Sequence, residues 1–182
     1  ADQFAEISKW RARKEDIGLA TARAEAVRRA KRVLDLDEEL AGNLDKLTEL
    51  IKASPAAALL EEPGVGPFSA AVCFTAWSHP GRVRNEAAFA ALAGVNPIPA
   101  SSGNTHRHRL NRGGDRQLNR ALHTVIMNRM VHDERTRKYV AKHYGEDPTK
   151  KSKKEIRRKL KWYLARRVYK ILNALDTVPQ PA

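Results

Sequence analysis

The sequence predicts an all-α protein, in which a helical arm or coiled coil precedes a compact helical domain with a helix-hairpin-helix-like turn. Ala, Leu, Arg, Lys and Glu are abundant in the 182 residues, whereas strand-forming residues are scarce. Apolar residues make up 42% of the chain, enough for a core, and charged residues make up 30%, which suits solvated helical faces. This length fits one domain with an appendage.

Residues 1–53 are predicted to form the connecting arm, as two helices. Leu40, Leu44, Leu47 and Ile51 recur at helical spacing and indicate an apolar seam. The acidic residues 37–39 precede this seam, where they suit the start of the second helix. The repeat is too short to distinguish a coiled coil from a helical hairpin.

Residues 54–176 are predicted to form the main domain, and residues 177–182 a disordered tail. Polar caps and breakers divide this domain into short helices, an extended segment, a polar loop and two longer helices. The expected elements are a short helix from Ser54 to Leu60, a helix after Gly66, a helix from Glu86 to Ala93, extended chain over 96–99, a loop over 100–114, a helix from Arg116 to Val131 and a basic helix from Lys153 to Leu175.

The positive charge lies in the C-terminal part of the chain. The 34 Lys and Arg and 21 Asp and Glu give a formal net charge of +13. Residues 1–102 hold 13 basic and 14 acidic residues (−1), so residues 103–182 hold 21 and 7 (+14). Such a surface attracts polyanions by releasing counterions from phosphates, although a merely solvated face is the alternative. On the last helix, Lys154, Arg157 and Arg158 are the predicted nucleic-acid contacts.

The run from Glu62 to Ala71 resembles the hairpin of a helix-hairpin-helix element. Gly64 and Gly66 allow a tight turn into a helix of small residues, whose first backbone N–H groups could hold a DNA phosphate. An ordinary structural turn explains the same residues equally well. A dinucleotide-binding fingerprint is excluded, because the third glycine and the preceding strand are missing.

Several classes of site are disfavoured by composition. Cys73 is the single cysteine, so an internal disulfide and a cysteine-based zinc site are excluded, and its apolar neighbours predict a buried, inert thiol. His106 and His108 have no carboxylate neighbour, which favours polar contacts over metal binding. We therefore expect no metal or cofactor bound by this chain alone. The longest apolar run is too short for a membrane span and no signal peptide is evident, so a cytoplasmic location is expected.

The segment from Pro97 to Arg116 holds the candidate chemistry. Ser101 and Ser102 precede Gly103, and four arginines follow within fifteen residues: Arg107, Arg109, Arg112 and Arg116. A serine hydroxyl attacks only when a base or nearby positive charge stabilises its alkoxide. Phosphoryl transfer needs fixed cations around the phosphate oxygens, which arginine supplies best. The spacing alone also fits a passive phosphate-binding loop.

The run from Leu59 to Leu172 resembles the C-terminal domain of transposases of the insertion-sequence one-ten family. The matching blocks are PGVGPFSAA, NEAAFAALAGVNPIPASSG, HRHRLNRGGDRQLNRALH and KSKKEIRRKLKWYLARRVYKIL, in the family's order and spacing. The resemblance covers about two-thirds of the chain. It implies that Ser102, directly before the loop glycine, forms a covalent phosphoserine link to DNA, with Ser101 as the alternative.

The resemblance also implies roles for the arginines and a second domain. Arg107, Arg109 and Arg112 would contact the scissile or neighbouring phosphates, and Arg116 or Arg120 either a phosphate or an acid. The family's active site needs an acidic tetrad that holds Mg²⁺ in a RuvC-like domain. We expect that domain to lie outside these 182 residues, so that the chain is a fragment, an excised domain or a truncated gene product.

The resemblance further implies DNA, a structured guide RNA and a homo-oligomer, dimer or tetramer, as partners, in a bacterial cytoplasm and associated with the nucleoid. Two other classes of function stay open from sequence. One is a non-catalytic helix-hairpin-helix module that holds DNA or RNA, with Ser102 a structural loop residue. The other is an oligomerisation piece whose basic helix contacts RNA, an acidic protein or, least favoured, a membrane surface.

Overall fold

The computed structural model describes residues 2–104, 108–145 and 152–174, which form two compact units that divide between Lys46 and Leu47. Helices dominate both units, which confirms the all-α class. The predicted domain boundaries after residues 53 and 176 stay predictions. The tail predicted at residues 177–182 lies outside the described part.

The first unit consists of helix α1 (Asp2–Ser8) and most of helix α2 (Ile17–Lys52). Arg23 holds the connection between them, because its guanidinium pairs with Glu15 and lies over the Trp10 ring, 5.4 Å from the centroid. Two helices are present, but they are not the two expected, because the helix start expected at residues 37–39 lies inside α2 and α1 lies further upstream. No proline interrupts the chain there, and the acids sit exposed on a continuous helix.

The second unit contains five further α-helices, a short 3-10 helix and two short strands. In chain order these are the 3-10 helix Pro55–Glu61, α3 (Pro67–Trp77), α4 (Glu86–Leu92), β1 (Pro97–Pro99), β2 (His108–Leu110), α5 (Arg116–His132), α6 (Glu134–His143) and α7 (Lys153–Ala174).

Side-chain caps set the helix starts that the sequence predicts. Asn85 Oδ1 accepts a hydrogen bond from the Ala88 N–H (2.8 Å), and Asp115 Oδ1 accepts one from the Leu118 N–H (2.9 Å). Ser54 Oγ likewise accepts from the Ala56 N–H at 3.1 Å. Each bond satisfies an N–H that the helix itself leaves without a partner, which fixes where the helix begins.

The extended segment before the polar loop is confirmed, but the loop itself was predicted wrongly. β1 pairs antiparallel with β2, with Ile98 opposite Arg109 and Pro99 opposite His108. The expected loop over 100–114 therefore contains a strand. All three residues of β2 are exposed, so no alternation of apolar and polar residues marks it in the sequence. Helix α6 is also additional; Asp133 caps it by accepting from the Thr136 N–H at 2.8 Å.

The core of the second unit lies between α3, α4, α5 and α7. Its largest fully buried side chains include Phe89 of α4, Leu118 and Leu122 of α5, and Ile156 and Leu172 of α7. The buried positions of α7 give this helix one apolar face. On α3, Cys73 is 2% exposed, and burial raises the pKa of its thiol to about 12. The thiol is therefore protonated and enclosed, as the sequence predicts.

Candidate nucleic-acid interface

The candidate nucleophile lies on the loop that connects β1 to β2. Ser101 and Ser102 are both exposed, and Ser102 follows the end of β1 by three residues. Gly103 has a φ of +55°, a left-handed conformation that glycine adopts without a steric penalty. Arg107 and His106 lie outside the described residues. The backbone thus turns directly after Ser102 and leaves its side chain on the surface.

The C-terminal end of this loop is fixed against the end of α4. Asn111 Nδ2 donates to Asn96 Oδ1 at 2.7 Å, and Asn111 Oδ1 accepts from the Gly113 N–H at 2.9 Å. The Asp115 N–H donates to the Leu92 carbonyl at 2.7 Å. These three hydrogen bonds fix the C-terminal end of the loop, so that its exposed residues project from an anchored backbone.

Gly94 and Gly114 allow the loop to lie this close to the end of α4. A Cβ built on Gly114 would lie 2.2 Å from Gly94 N and 2.3 Å from Gly94 Cα. Gly94 itself follows the end of α4 and has a φ of +64°, the left-handed conformation common after a helix. Gly114 therefore serves the close packing of two backbones, whereas a Cβ on Gly113 would meet nothing nearer than 3.6 Å.

The predicted arginines are distributed around this loop. Arg109 lies in the middle of β2, Arg112 follows the anchored Asn111, and Arg116 is the first residue of α5; all three are exposed. They are thus available to phosphates. Of the three, only Arg109 lines the cavity of about 720 Å³ that β2 forms with α7.

The α7 cations divide between this cavity and the outer surface. Lys154 and Arg158 are exposed and Arg157 is half-buried; Arg158 lines the cavity with Arg109. Sequence reasoning missed Lys159, Lys161 and Trp162 as parts of this site, although all three line the same cavity. Helical spacing places residues 158, 161 and 162 on one face, which was the signal available in the sequence.

The Glu62–Gly66 turn, which we call the hairpin, packs on α5. Gly64 has a φ of +74°, and a Cβ there would lie 3.3 Å from Val125 O and from Arg129 Cγ. Arg129 Nε donates to the Pro63 carbonyl at 2.5 Å. Gly64 thus has a packing role. Gly66 is exposed and precedes α3 without a side-chain cap on the first helical turn.

One carboxylate joins the hairpin to two helices. Glu62 Oε1 pairs with Arg167 Nε at 2.7 Å, and Glu62 Oε2 pairs with Arg129 Nη2 at 3.2 Å. The Glu62 side chain is only 14% exposed, so these bonds are partly shielded from water. The hairpin is therefore held by α5 and α7 rather than projecting freely.

Part of this site lies in a range that matches a known family. Residues 56–141 match the family described as Transposase IS116/IS110/IS902 family. The match supports this family and, at that level, a role as a DNA transposase or recombinase. The matched range contains the hairpin, the Ser102 loop, Arg109, Arg112 and Arg116, whereas α7 lies beyond it. No curated protein matches the chain.

Potential metal ligands and the character of the helices bear on what else this chain could hold. Within residues 2–104, 108–145 and 152–174, no three His, Cys, Asp or Glu side chains are grouped to hold a metal ion. The expectation of Mg²⁺ in a RuvC-like domain stays a prediction. Among the described helices, none is both long and apolar enough to cross a membrane.

Proposed function

We propose that this chain supplies the serine of a DNA transposase and that Ser102 attacks a DNA phosphodiester. The exposed position of Ser102, on a loop inside the family-matched range and beside the strand that bears Arg109, carries this proposal. A Ser102 Oγ–P bond forms while the bond from phosphorus to one deoxyribose oxygen breaks. The serine proton passes to a base or to water, and the leaving oxygen is protonated. Attack by another strand's hydroxyl then reverses the linkage and completes exchange.

The arginines around the loop would stabilise the charge of the transition state. Arg109 and Arg112 are exposed on either side of the anchored Asn111, and Arg116 begins α5. Guanidinium groups held on a rigid base need little reorganisation when negative charge develops on the phosphate oxygens. Arg107 belongs to the proposed set, as the family resemblance implies, although it lies outside the described residues.

An adduct-trapping experiment tests the proposal. The chain is combined with a RuvC-like domain of the family, guide RNA, Mg²⁺ and labelled DNA, and protein–DNA adducts are separated on denaturing gels. Peptide mass spectrometry then locates the nucleotide. A phosphoserine–nucleotide linkage on Ser102 is the expected result, and a linkage on Ser101 would move the nucleophile by one residue. If no serine carries DNA, the binding-module alternative replaces the proposal.

The hairpin supports that alternative. Gly66 lies at the exposed start of α3, and no side chain caps the first turn there. Backbone N–H groups in this position suit a phosphate oxygen. In the leading proposal the hairpin binds flanking DNA or guide RNA and Ser102 does the chemistry. In the alternative the hairpin and basic helix only hold the nucleic acid.

The basic face of α7 should act through phosphate contacts. If Arg158 contacts one duplex phosphate, Arg158→Ala should reduce the slope of log K against log salt concentration by about 0.9. Fluorescence anisotropy between about 50 and 200 mM salt measures it. The matched control is Arg29→Ala on α2, also exposed, whose guanidinium already pairs with Glu25 at 2.7 Å. Equal slopes for all three proteins would refute the contact.

We also propose that the arm joins copies of the chain in a homo-oligomer. Residues 35–46 of α2 are exposed throughout, and this stretch includes a leucine stripe. Leu36, Leu40 and Leu44 are 39%, 64% and 49% exposed, four residues apart. Such a stripe lies on one side of a helix and suits packing against a second helix.

Charge placed on this stripe should therefore dissociate the oligomer. The variant Leu36→Asp/Leu40→Asp is expected to sediment as a monomer at concentrations where the unaltered chain associates. Because both leucines are exposed, its free energy of unfolding at low concentration should change by less than about 1 kcal/mol. Ile17→Asp alters an exposed residue that helical spacing places on the other side of α2 from Leu40, and it should leave association intact. Association that survives in the first variant would contradict the interface.

The bacterial, cytoplasmic and nucleoid-associated setting belongs to the same proposal, since transposition acts on chromosomal DNA. The guide RNA is likewise part of the proposal, supported by the family match at residues 56–141.

A further inference from the structure

The cavity between β2 and α7 has a size and lining that suit one unpaired nucleotide. Its volume is about 720 Å³, within the usual range of small-molecule sites. One wall is the backbone from Gly94 to Pro97 together with β2, and the other wall is the face of α7 that includes Arg158, Lys161 and Trp162. The cavity thus combines basic groups, backbone and an aromatic ring.

Basic side chains outnumber acidic ones around this cavity. Arg109, Arg158, Lys159 and Lys161 line it, against one acid, Glu155. Glu155 Oε2 accepts from the Ser152 N–H at 2.9 Å and from Ser152 Oγ at 2.8 Å, so this oxygen serves the start of α7. The lining therefore retains a net positive charge that suits a phosphate.

Lys161 is held inside this lining without a carboxylate partner in the described ranges. Its Nζ donates to Asn119 Oδ1 at 2.9 Å, and Asn119 Nδ2 donates in turn to the Ala93 carbonyl at 2.7 Å. Burial, with the nearby charges of Arg157 and Arg158, lowers the pKa of Lys161. These cations repel one another in the absence of an anion, so a bound phosphate would relieve the repulsion.

The aromatic ring at this wall is oriented by its neighbours. The Arg166 guanidinium lies over the Trp162 ring, 4.4 Å from its centroid, and also pairs with Glu86 of α4. Trp162 is half-buried against the core and lines the cavity. A fixed indole beside a phosphate site is the combination that proteins use to stack an unpaired base.

We propose that this cavity binds one unpaired nucleotide, with its base on Trp162 and its phosphate on Lys161, Arg158 and Arg109. The inference rests on the proposed function, because it takes that nucleotide to lie beside the phosphate that Ser102 attacks. Ser102 follows Pro99 by three residues, a span of at most about 11 Å. Pro99 pairs with His108, which lines the cavity. A base that leaves the nucleic-acid duplex and enters this cavity would fix which phosphate of its strand lies at Ser102.

Binding of short single strands to the full chain tests this site. The probes are fluorescent hexathymidylate DNA and the same DNA with abasic sugars throughout, which keeps the phosphates and removes the bases. Trp162→Ala is expected to weaken hexathymidylate binding about tenfold and abasic binding less than about twofold. Trp162→Phe should restore affinity to within about threefold of the unaltered chain, because a phenyl ring still stacks.

The matched control is Trp10→Ala, which removes an indole that is 43% exposed in the first unit and does not line the cavity. It should change hexathymidylate affinity less than about twofold. Equal losses of both probes in a Trp162→Ala chain that keeps its circular dichroism spectrum would indicate pure phosphate binding and would overturn the proposal. So would equal effects of Trp10→Ala and Trp162→Ala on hexathymidylate.

Two further measurements show whether the cavity prefers DNA or RNA and separate nucleotide binding from the proposed attack by Ser102. Hexauridylate RNA compared with hexathymidylate DNA shows which strand the cavity prefers, since both offer a base and a phosphate. Ser102→Ala should bind both probes as the unaltered chain does. A chain that stacks the base but never forms an adduct would leave the cavity site standing and remove the serine chemistry.

Discussion

Ser102→Ala should eliminate the covalent protein–DNA adduct and lower strand exchange by at least about a thousandfold, while DNA affinity changes less than about twofold. The nucleophilic oxygen is lost, and in this proposal the Ser101 hydroxyl does not take its place, so the loss should be on the usual scale for removing a nucleophile. The side chain is exposed, so alanine leaves the fold intact. Adduct formation on denaturing gels and binding by anisotropy, on the same preparations, separate the two effects.

Ser101→Ala is the matched control, since it removes the adjacent exposed hydroxyl from the same loop. It should retain the adduct within about tenfold. Adduct formation that persists in Ser102→Ala would contradict the assignment of the nucleophile. Loss in both single variants would point instead to the conformation of the loop.

Gly114→Ala should destabilise the second unit by at least about 3 kcal/mol. The added Cβ would lie 2.2 Å from Gly94 N and 2.7 Å from the Ala93 carbonyl carbon, and all of these are backbone atoms. Backbone cannot swing aside as a long side chain does, so the loop must separate from the end of α4. Urea denaturation followed by circular dichroism measures the change.

Gly113→Ala is the control for this substitution. It adds the same methyl group one residue earlier, where the nearest atom, Asn111 Oδ1, would be 3.6 Å away. Its free energy of unfolding should stay within about 1 kcal/mol of the original. Similar losses in both variants would mean that loop flexibility, and not the close backbone contact, explains the pair of glycines.

Much of the fold was accessible from local sequence signals. Asn85 and Asp115 mark helix starts because a capping side chain acts on the next few N–H groups. Strand β2 was not accessible, because Arg109 pairs with Ile98 eleven residues earlier and all of β2 is exposed. Its existence depends on pairing across the loop and leaves no pattern within the segment itself.

Part of the candidate site could likewise be predicted from the sequence, and part could not. The Ser102 loop and its arginines follow from a contiguous segment whose chemistry and family resemblance can be read directly. The cavity could not be predicted, because it brings Arg109 next to Arg158 and Trp162, about fifty residues further along the chain. Which helix faces β2 is decided by core packing of α4, α5 and α7, and not by the residues of the site.

The ion pairs at Glu62 and Glu86 reduce the number of C-terminal cations that can contact phosphates. Glu62 pairs with Arg129 and Arg167, and Glu86 pairs with Arg166 and Lys170. Both acids come from residues 1–102, the part that is almost neutral by sequence, so folding brings its carboxylates to four of the later cations. The surplus of +14 therefore overstates how many phosphates the folded chain can neutralise, and ionic strength should act on fewer contacts than that surplus implies.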